Sequence, residues 1–301
     1  MSFEWIKIPY SLLTLFIIFN FGLLLNALIA KIAARVGRRH GIPIWQNHVD
    51  LIKNYGLRSS ITHGVMFYMG PVFRLAGGVG LILFVPTIYG SEMFSNLSFS
   101  GDLILALYFV FFGTLGMALG AGESGHPHAA IGISRGLSLM TAAELPFALA
   151  VFSVALQYQT LSITEIVAMQ QGSYLNWTLF TNPIAVAAAM LSFLGSMMRP
   201  PFDLVLAPQE IPIGPPTEYH SSYLALMQTN RALFPIAKMV IYMNLFFGGA
   251  VSWPILFLKI FLIYMVSVVV GVVFPRFHVE QSIRWFLIWA VPLGVIAILV
   301  V

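Results

Sequence analysis

Apolar stretches of about 20 residues, separated by short polar intervals, run from one end of this chain to the other. A membrane helix needs about that length to cross the hydrocarbon core. On that ruler the sequence predicts eight spans, over residues 8–30, 64–88, 102–121, 136–157, 178–198, 222–247, 254–274 and 284–301. The first run is longer than the core of a signal peptide, and Lys31, Arg35, Arg38 and Arg39 follow it as a stop signal, so it is expected to stay as an anchor. Residues 35–60 interleave Ile42, Ile44, Trp45, Val49, Leu51, Ile52 and Leu57 with His48, Asp50, Lys53 and Arg58. That mixture predicts an amphipathic helix lying on the membrane surface. A second short helix is expected around residues 162–171, between the fourth and fifth spans.

Composition agrees with the pattern: 59% of the 301 residues are hydrophobic and only 9% charged, against roughly 25% charged in a soluble domain. A water-soluble globule is excluded, and residues 1–301 are read as one all-α, polytopic membrane domain with long cytoplasmic loops. Cysteine is absent, which excludes disulfides, iron–sulfur clusters and thiolate metal sites within the chain. Any redox centre therefore belongs to a partner. His126 and His128 in GESGHPHAA have only Glu123 nearby, too weak a set for a metal site, and nucleic acid is not expected as a partner.

The net charge of +4 reads as topology, because short loops rich in Lys and Arg stay in the cytoplasm. The loops after the odd-numbered spans hold Lys31, Arg35, Arg38, Arg39, Lys53, Arg58, Arg135, Arg199, Arg276 and Arg284, whereas the opposite loops hold only Lys7. All seven histidines fall with the cations. The expected arrangement is a multi-pass protein of the inner (cytoplasmic) membrane with both termini outside and its working face in the cytoplasm.

Five ionisable residues are read as lying inside spans: Arg74, Glu144, Arg231, Lys238 and Lys259. A charge at the bilayer centre costs on the order of 3 kcal/mol, so such groups usually face a protein or water-filled interior. Arg74 and Lys259 sit near predicted span ends, and snorkelling to headgroups is the plainer expectation for Lys259. Glu144 is too short to snorkel. It follows Arg135 by nine residues, a rise of about 13 Å along a helix, and Pro146 just beyond it frees a backbone carbonyl that can hold water or a proton donor. Arg231 and Lys238, close to two turns apart, share one helical stripe, and Glu144 is the natural counter-charge for it. The acidic loop at 199–221 carries Asp203, Glu210 and Glu218 among six prolines, which makes it stiff and shaped.

Four separated stretches now resemble one family. GESGHPHAAIGISRGLSLMTAAELPFAL is similar to the loop and span of the complex I membrane subunit that docks the hydrophilic arm, and PPFDLVLAPQEIPIGPPTEY resembles that family's acidic loop. FPRFHVEQSIRWFLIWAVPL resembles its Pro-Arg, acid-Gln and Trp ending, with the final Leu-Pro inverted, and IPIWQNHVDLIKNYG resembles its surface helix. The resemblance implies an eight-span subunit that joins the membrane arm to the redox arm and begins a buried chain of charges leading to antiporter-like subunits. By motif position it implies that Arg135, Glu144, Asp203, Glu210, Glu218 and Arg276 are loop and channel residues. Quinone-reducing members usually carry glutamates where Leu206 and Pro208 stand and a proline where Asn47 stands. Their loss favours relatives whose electron acceptor lies in the soluble arm, namely membrane-bound energy-converting [NiFe]-hydrogenases and ferredoxin-linked sulfur-reducing complexes.

The expected function is a non-catalytic anchor and coupling subunit of such a complex, moving protons or sodium. Its expected partners are soluble redox-arm subunits, including an iron–sulfur protein and a hydrogenase-like large subunit that hold the iron–sulfur clusters and a NiFe centre, together with antiporter-like membrane subunits. Two alternatives stay open: a quinone-binding dehydrogenase subunit, and a free-standing secondary transporter. The transporter reading expects broken-helix repeats in corresponding halves, which the sequence does not display.

Overall fold

The computed structural model describes residues 5–59, 63–205 and 214–301. Among the described residues every regular element is a helix and there is no strand. The first predicted span is α1 (Lys7–Val36), whose last turn carries Arg35 where a cation complements the helix dipole. The surface segment is narrower than 35–60, because α1 absorbs its first residues and α2 covers only Gln46–Gly56. Helix α2 buries Leu51 and leaves Val49 and Ile52 exposed, as is Trp45 just before it. Asn54 donates to Gln228 at 2.9 Å and Asn47 to the Leu23 carbonyl at 3.0 Å, so polar side chains pin α2 to its neighbours.

The second and third spans are α3 (Val65–Phe84) and α4 (Asp102–Gly122). They pack at backbone distance because glycines line the seam. A Cβ at Gly77 would lie 2.5 Å from the Gly113 Cα, and one at Gly116 would lie 2.5 Å from the Arg74 nitrogen. Membrane helices associate through such small-residue contacts because lipid offers no hydrophobic drive between them. The fourth span, α5 (Pro127–Tyr158), starts nine residues before the predicted 136, since His126 caps it and Pro127 opens it. Proline suits a first helical turn, where its missing N–H would be unpaired anyway.

On the opposite face α6 (Ile163–Met169) is the expected short helix. The fifth span is split by Asn182 into α7 (Thr178–Thr181) and α8 (Pro183–Ser196), and the sixth is α9 (Ser221–Phe246). The seventh is α10 (Trp253–Val273); the eighth runs from α11 (Val279–Trp285) through a π segment into α12 (Val291–Val300). Six of these spans are long and apolar enough to cross a membrane. The exceptions are α8, which is short, and α9, which carries Gln228, Asn230, Arg231, Lys238 and Asn244 and is almost wholly buried at the centre of the bundle. The protein is thus an all-α polytopic membrane protein wrapped around its least apolar span.

The cation-bearing loops gather at one end. Phe277 donates to the Pro201 carbonyl at 2.9 Å, Tyr219 to the Phe67 carbonyl at 2.7 Å, and Ser221 to the Arg58 carbonyl at 2.7 Å.

Candidate functional site

At the cation-rich end the amino end of α3 is capped from another helix. Phe67 donates its backbone N–H to the Glu123 carboxylate at 2.6 Å, and Gly64 has no side chain because Glu123 fills that space. His63 stacks on Phe67 at 4.3 Å, and Phe67 stacks on Tyr219 at 4.1 Å. His63 also lies 2.6 Å from the Glu218 carboxylate. Burial raises the Tyr219 hydroxyl above its ordinary range, which keeps it a neutral donor to the Phe67 carbonyl.

Next to this stack Asp203 pairs with Arg276 at 3.0 Å, both about a fifth exposed. Burial raises the Asp203 carboxyl, while Arg276 first, then Arg231 and Arg199, pull it back. Arg199 reaches the Tyr264 hydroxyl, which donates to Asn26 at 2.9 Å. Arg231 is exposed at the mouth of the bundle.

From there a line of charge runs inward. Arg231 and Arg74 are close enough to repel, as are Arg74 and Lys238, and Lys238 attracts the Glu144 carboxylate, although no direct contact joins these groups among the described residues. Arg74 stands in the middle of α3, not near its end, and it does not snorkel. Its Nε donates to the Asn230 amide oxygen at 3.1 Å while the amide nitrogen donates to the Arg74 carbonyl, the amide orientation that satisfies both partners. Lys238 is buried, with its ammonium 4.6 Å over the Phe234 ring. Glu144, on α5, accepts from Thr114 of α4 at 3.2 Å.

Glu144 and Lys238 line one cavity with Val110, Phe147, Ser192, Ser196, Ile241 and Tyr242. It has about 10 Å³ of room for water centres, close to the minimum for one molecule. No direct ion pair joins the two charges among the described residues. Both helices carry a proline at this depth, Pro146 and Pro235.

Of the two α9 cations, Lys238 lines the cavity of Glu144, whereas Arg231, two turns away, is exposed. Arg135 lies half-buried on α5, and Glu210, with Leu206 and Pro208, falls outside the described residues. Lys259 does not reach towards headgroups. Its ammonium donates to the Phe247 and Gly249 carbonyls at 2.7 Å each, below the Trp177 ring at 4.2 Å.

Sequence reasoning misses Asp102, which is fully buried at the head of α4 and accepts from the Ile163 N–H at 2.7 Å. It also misses Thr114, Asn230 and Tyr242. A polar residue at a span boundary and an aromatic in an apolar helix carry no sequence signal that separates them from loop and core.

Comparisons with known proteins agree with this architecture. A family model described as NADH dehydrogenase matches residues 8–301. The chain is 30% identical over 208 residues to a subunit of the NADH-quinone oxidoreductase of Protochlamydia amoebophila, covering 66% of this chain and 62% of that one, so the match spans less than two thirds of the relative's length. It is 27% identical over 251 residues to hydrogenase-4 component C of Escherichia coli, covering 79% and 78% of the two chains. A chain in the structure of the membrane-bound sulfane sulfur reductase, an archaeal respiratory membrane complex, superposes with a TM-score of 0.89 at 28% identity, covering 98% of this chain and 99% of that one. The fold, the end-to-end family match and the buried charges lead to one assignment: the chain belongs to the NADH dehydrogenase family, among the membrane subunits of complex I type.

Proposed function

We propose that this chain is the membrane anchor and coupling subunit of a ferredoxin-linked, ion-translocating respiratory complex of the hydrogenase or sulfur-reducing type. The observation that carries the reading is the set of charges inside the bundle: the Asp203–Arg276 pair at the cation-rich end, Arg74 held by Asn230 in the middle of α3, and Lys238 and Glu144 around one cavity deep among the helices. Such a set lets a charge change at the loop end alter proton occupancy at Glu144 without any electron entering this chain. Opposite charges within several ångströms favour each other's ionised form, and burial opposes it, so moving one cation changes how readily Glu144 holds a proton. The cation-rich end then faces the cytoplasm and a soluble redox arm that holds the iron–sulfur clusters, and the opposite end of the set faces antiporter-like subunits. Likeness to hydrogenase-4 component C and to a chain of the sulfane sulfur reductase complex supports this branch.

The test is paired. Glu144→Gln keeps size and most hydrogen bonds but cannot change charge. In the purified complex, sealed into vesicles and driven by reduced ferredoxin, the variant is expected to keep electron transfer and lose most of the ion gradient per electron. An assembled variant with an undiminished gradient would overturn the reading. Relatives described as subunits of NADH-quinone oxidoreductases favour a second reading, a quinone-binding subunit. Extraction of bound quinone with the complex would select it.

A further inference from the structure

We propose that a single water held by Tyr242 completes the proton step between Glu144 and Lys238, so that Tyr242 is a positioning residue of the relay. The proposal rests on the coupling role of Glu144 proposed above. Tyr242 is 2% exposed, and its hydroxyl meets no hydrogen-bond partner among the described residues. A buried hydroxyl left unpaired costs about 1–3 kcal/mol, so an orphan at this depth calls for a partner of its own.

Ser192 and Ser196 lie beside the hydroxyl, but neither serine oxygen meets it in hydrogen-bond geometry, and neither can turn to it as a donor. Ser192 gives its proton to the Ala143 carbonyl at 2.5 Å and Ser196 to the Phe193 carbonyl at 3.0 Å. The ring of Tyr242 is fixed by stacking on Phe147 at 4.8 Å and by Phe193 at 5.1 Å. Its oxygen therefore has little freedom to seek a partner elsewhere.

Tyr242 lines the cavity that Glu144 and Lys238 also line, and that cavity has room for about one water. Buried waters typically make about three hydrogen bonds, and these three groups supply three. The water accepts from the Tyr242 hydroxyl, donates to the Glu144 carboxylate and accepts from the Lys238 ammonium. In the transfer itself Lys238 is the neutral amine and Glu144 the acid. The Glu144 O–H bond breaks as a proton joins the water oxygen, and a water O–H bond breaks as that proton joins the amine, leaving carboxylate, water and ammonium. A sodium ion would have to share this space with the Lys238 ammonium, which makes the cavity a station for protons.

Two variants test the site in the assembled, ferredoxin-driven complex in sealed vesicles, with Glu144→Gln beside them. Tyr242→Phe keeps the stacked ring and removes only the hydroxyl; Val110→Leu fills the cavity from α4 without touching a charge. Both are expected to lower the gradient formed per electron, Tyr242→Phe by up to about tenfold, the size of one lost hydrogen bond. Infrared difference spectra supply a readout that a merely structural role would not move. The carboxyl C=O band that disappears in Glu144→Gln is expected to shift in Tyr242→Phe. A wild-type gradient and an unmoved band in both variants, with Glu144→Gln impaired, would overturn the water bridge and leave the coupling role standing. An undiminished gradient in Glu144→Gln would instead remove the coupling role itself.

Discussion

Replacing Arg276 by alanine isolates what the ion pair at the cation-rich end contributes. Arg276 donates to Asp203 at 3.0 Å, and both side chains are about a fifth exposed, so the pair is partly shielded from water. A hydrogen bond to a charged group contributes about 1.5–3 kcal/mol, and breaking a fully buried pair costs about 3–5 kcal/mol. Partial exposure places this loss near the lower range, about 2 kcal/mol. The sign with pH follows from Asp203. Its carboxyl is raised by burial in the folded protein, and Arg276 is the largest influence holding it down, so Arg276→Ala raises it further. The folded state then binds more protons than the unfolded chain, whose Asp titrates near about 3.9. Stability of the variant therefore falls as pH rises from that value through the folded one, and the full deficit is present above it. Melting temperatures of the purified complex across pH are expected to show Arg276→Ala close to wild type in acid and lower near neutrality. Asp203→Asn in the same chain is expected to restore most of the loss, because the uncompensated charge is gone. A deficit independent of pH, or one that Asp203→Asn does not relieve, would refute the reasoning.

At the α3–α4 seam, Gly77→Leu is expected to abolish assembly of the chain into its complex, since a side chain there meets the backbone of Gly113 and Phe109; native gel electrophoresis of membranes expressing the variant checks this. On the opposite face, Lys259→Met leaves the Phe247 and Gly249 carbonyls without their donor. A loss of about 2 kcal/mol is expected as a lower melting temperature, with Lys259→Arg intermediate.

Six of the eight expected spans are legible because bilayer thickness imposes a length on a crossing helix, and that length survives in the sequence whatever the helices touch, whereas α8 is too short and α9 too polar to follow that rule. Even α6, seven residues long, is visible from its setting between two spans. Helix ends are less legible: α5 begins at Pro127 because of a histidine cap and a proline start, whereas the apolar pattern alone begins only at 136. Pairings between spans are the hardest to read. Arg231 and Lys238 share a stripe in the sequence, yet Arg231 is exposed whereas Lys238 is buried and lines a cavity with Glu144 of α5. Tyr242 is invisible for a similar reason. Only its neighbours show that its hydroxyl lacks a partner among the described residues.

The position of α9 also constrains how the chain enters the membrane. Its neighbour α10 is strongly apolar, whereas α9 brings Arg231 and Lys238 into the bundle. Each such charge adds about 2.5–3.5 kcal/mol to insertion of an isolated helix. The turn at 247–252 ties the two helices together, so α9 is carried in as one arm of a hairpin whose other arm supplies the driving force. During biogenesis the helix that ends up most deeply enclosed thus leans on the more lipid-facing one for its entry, and the cost of its two charges at the translocon is offset by a partner that is synthesised directly after them.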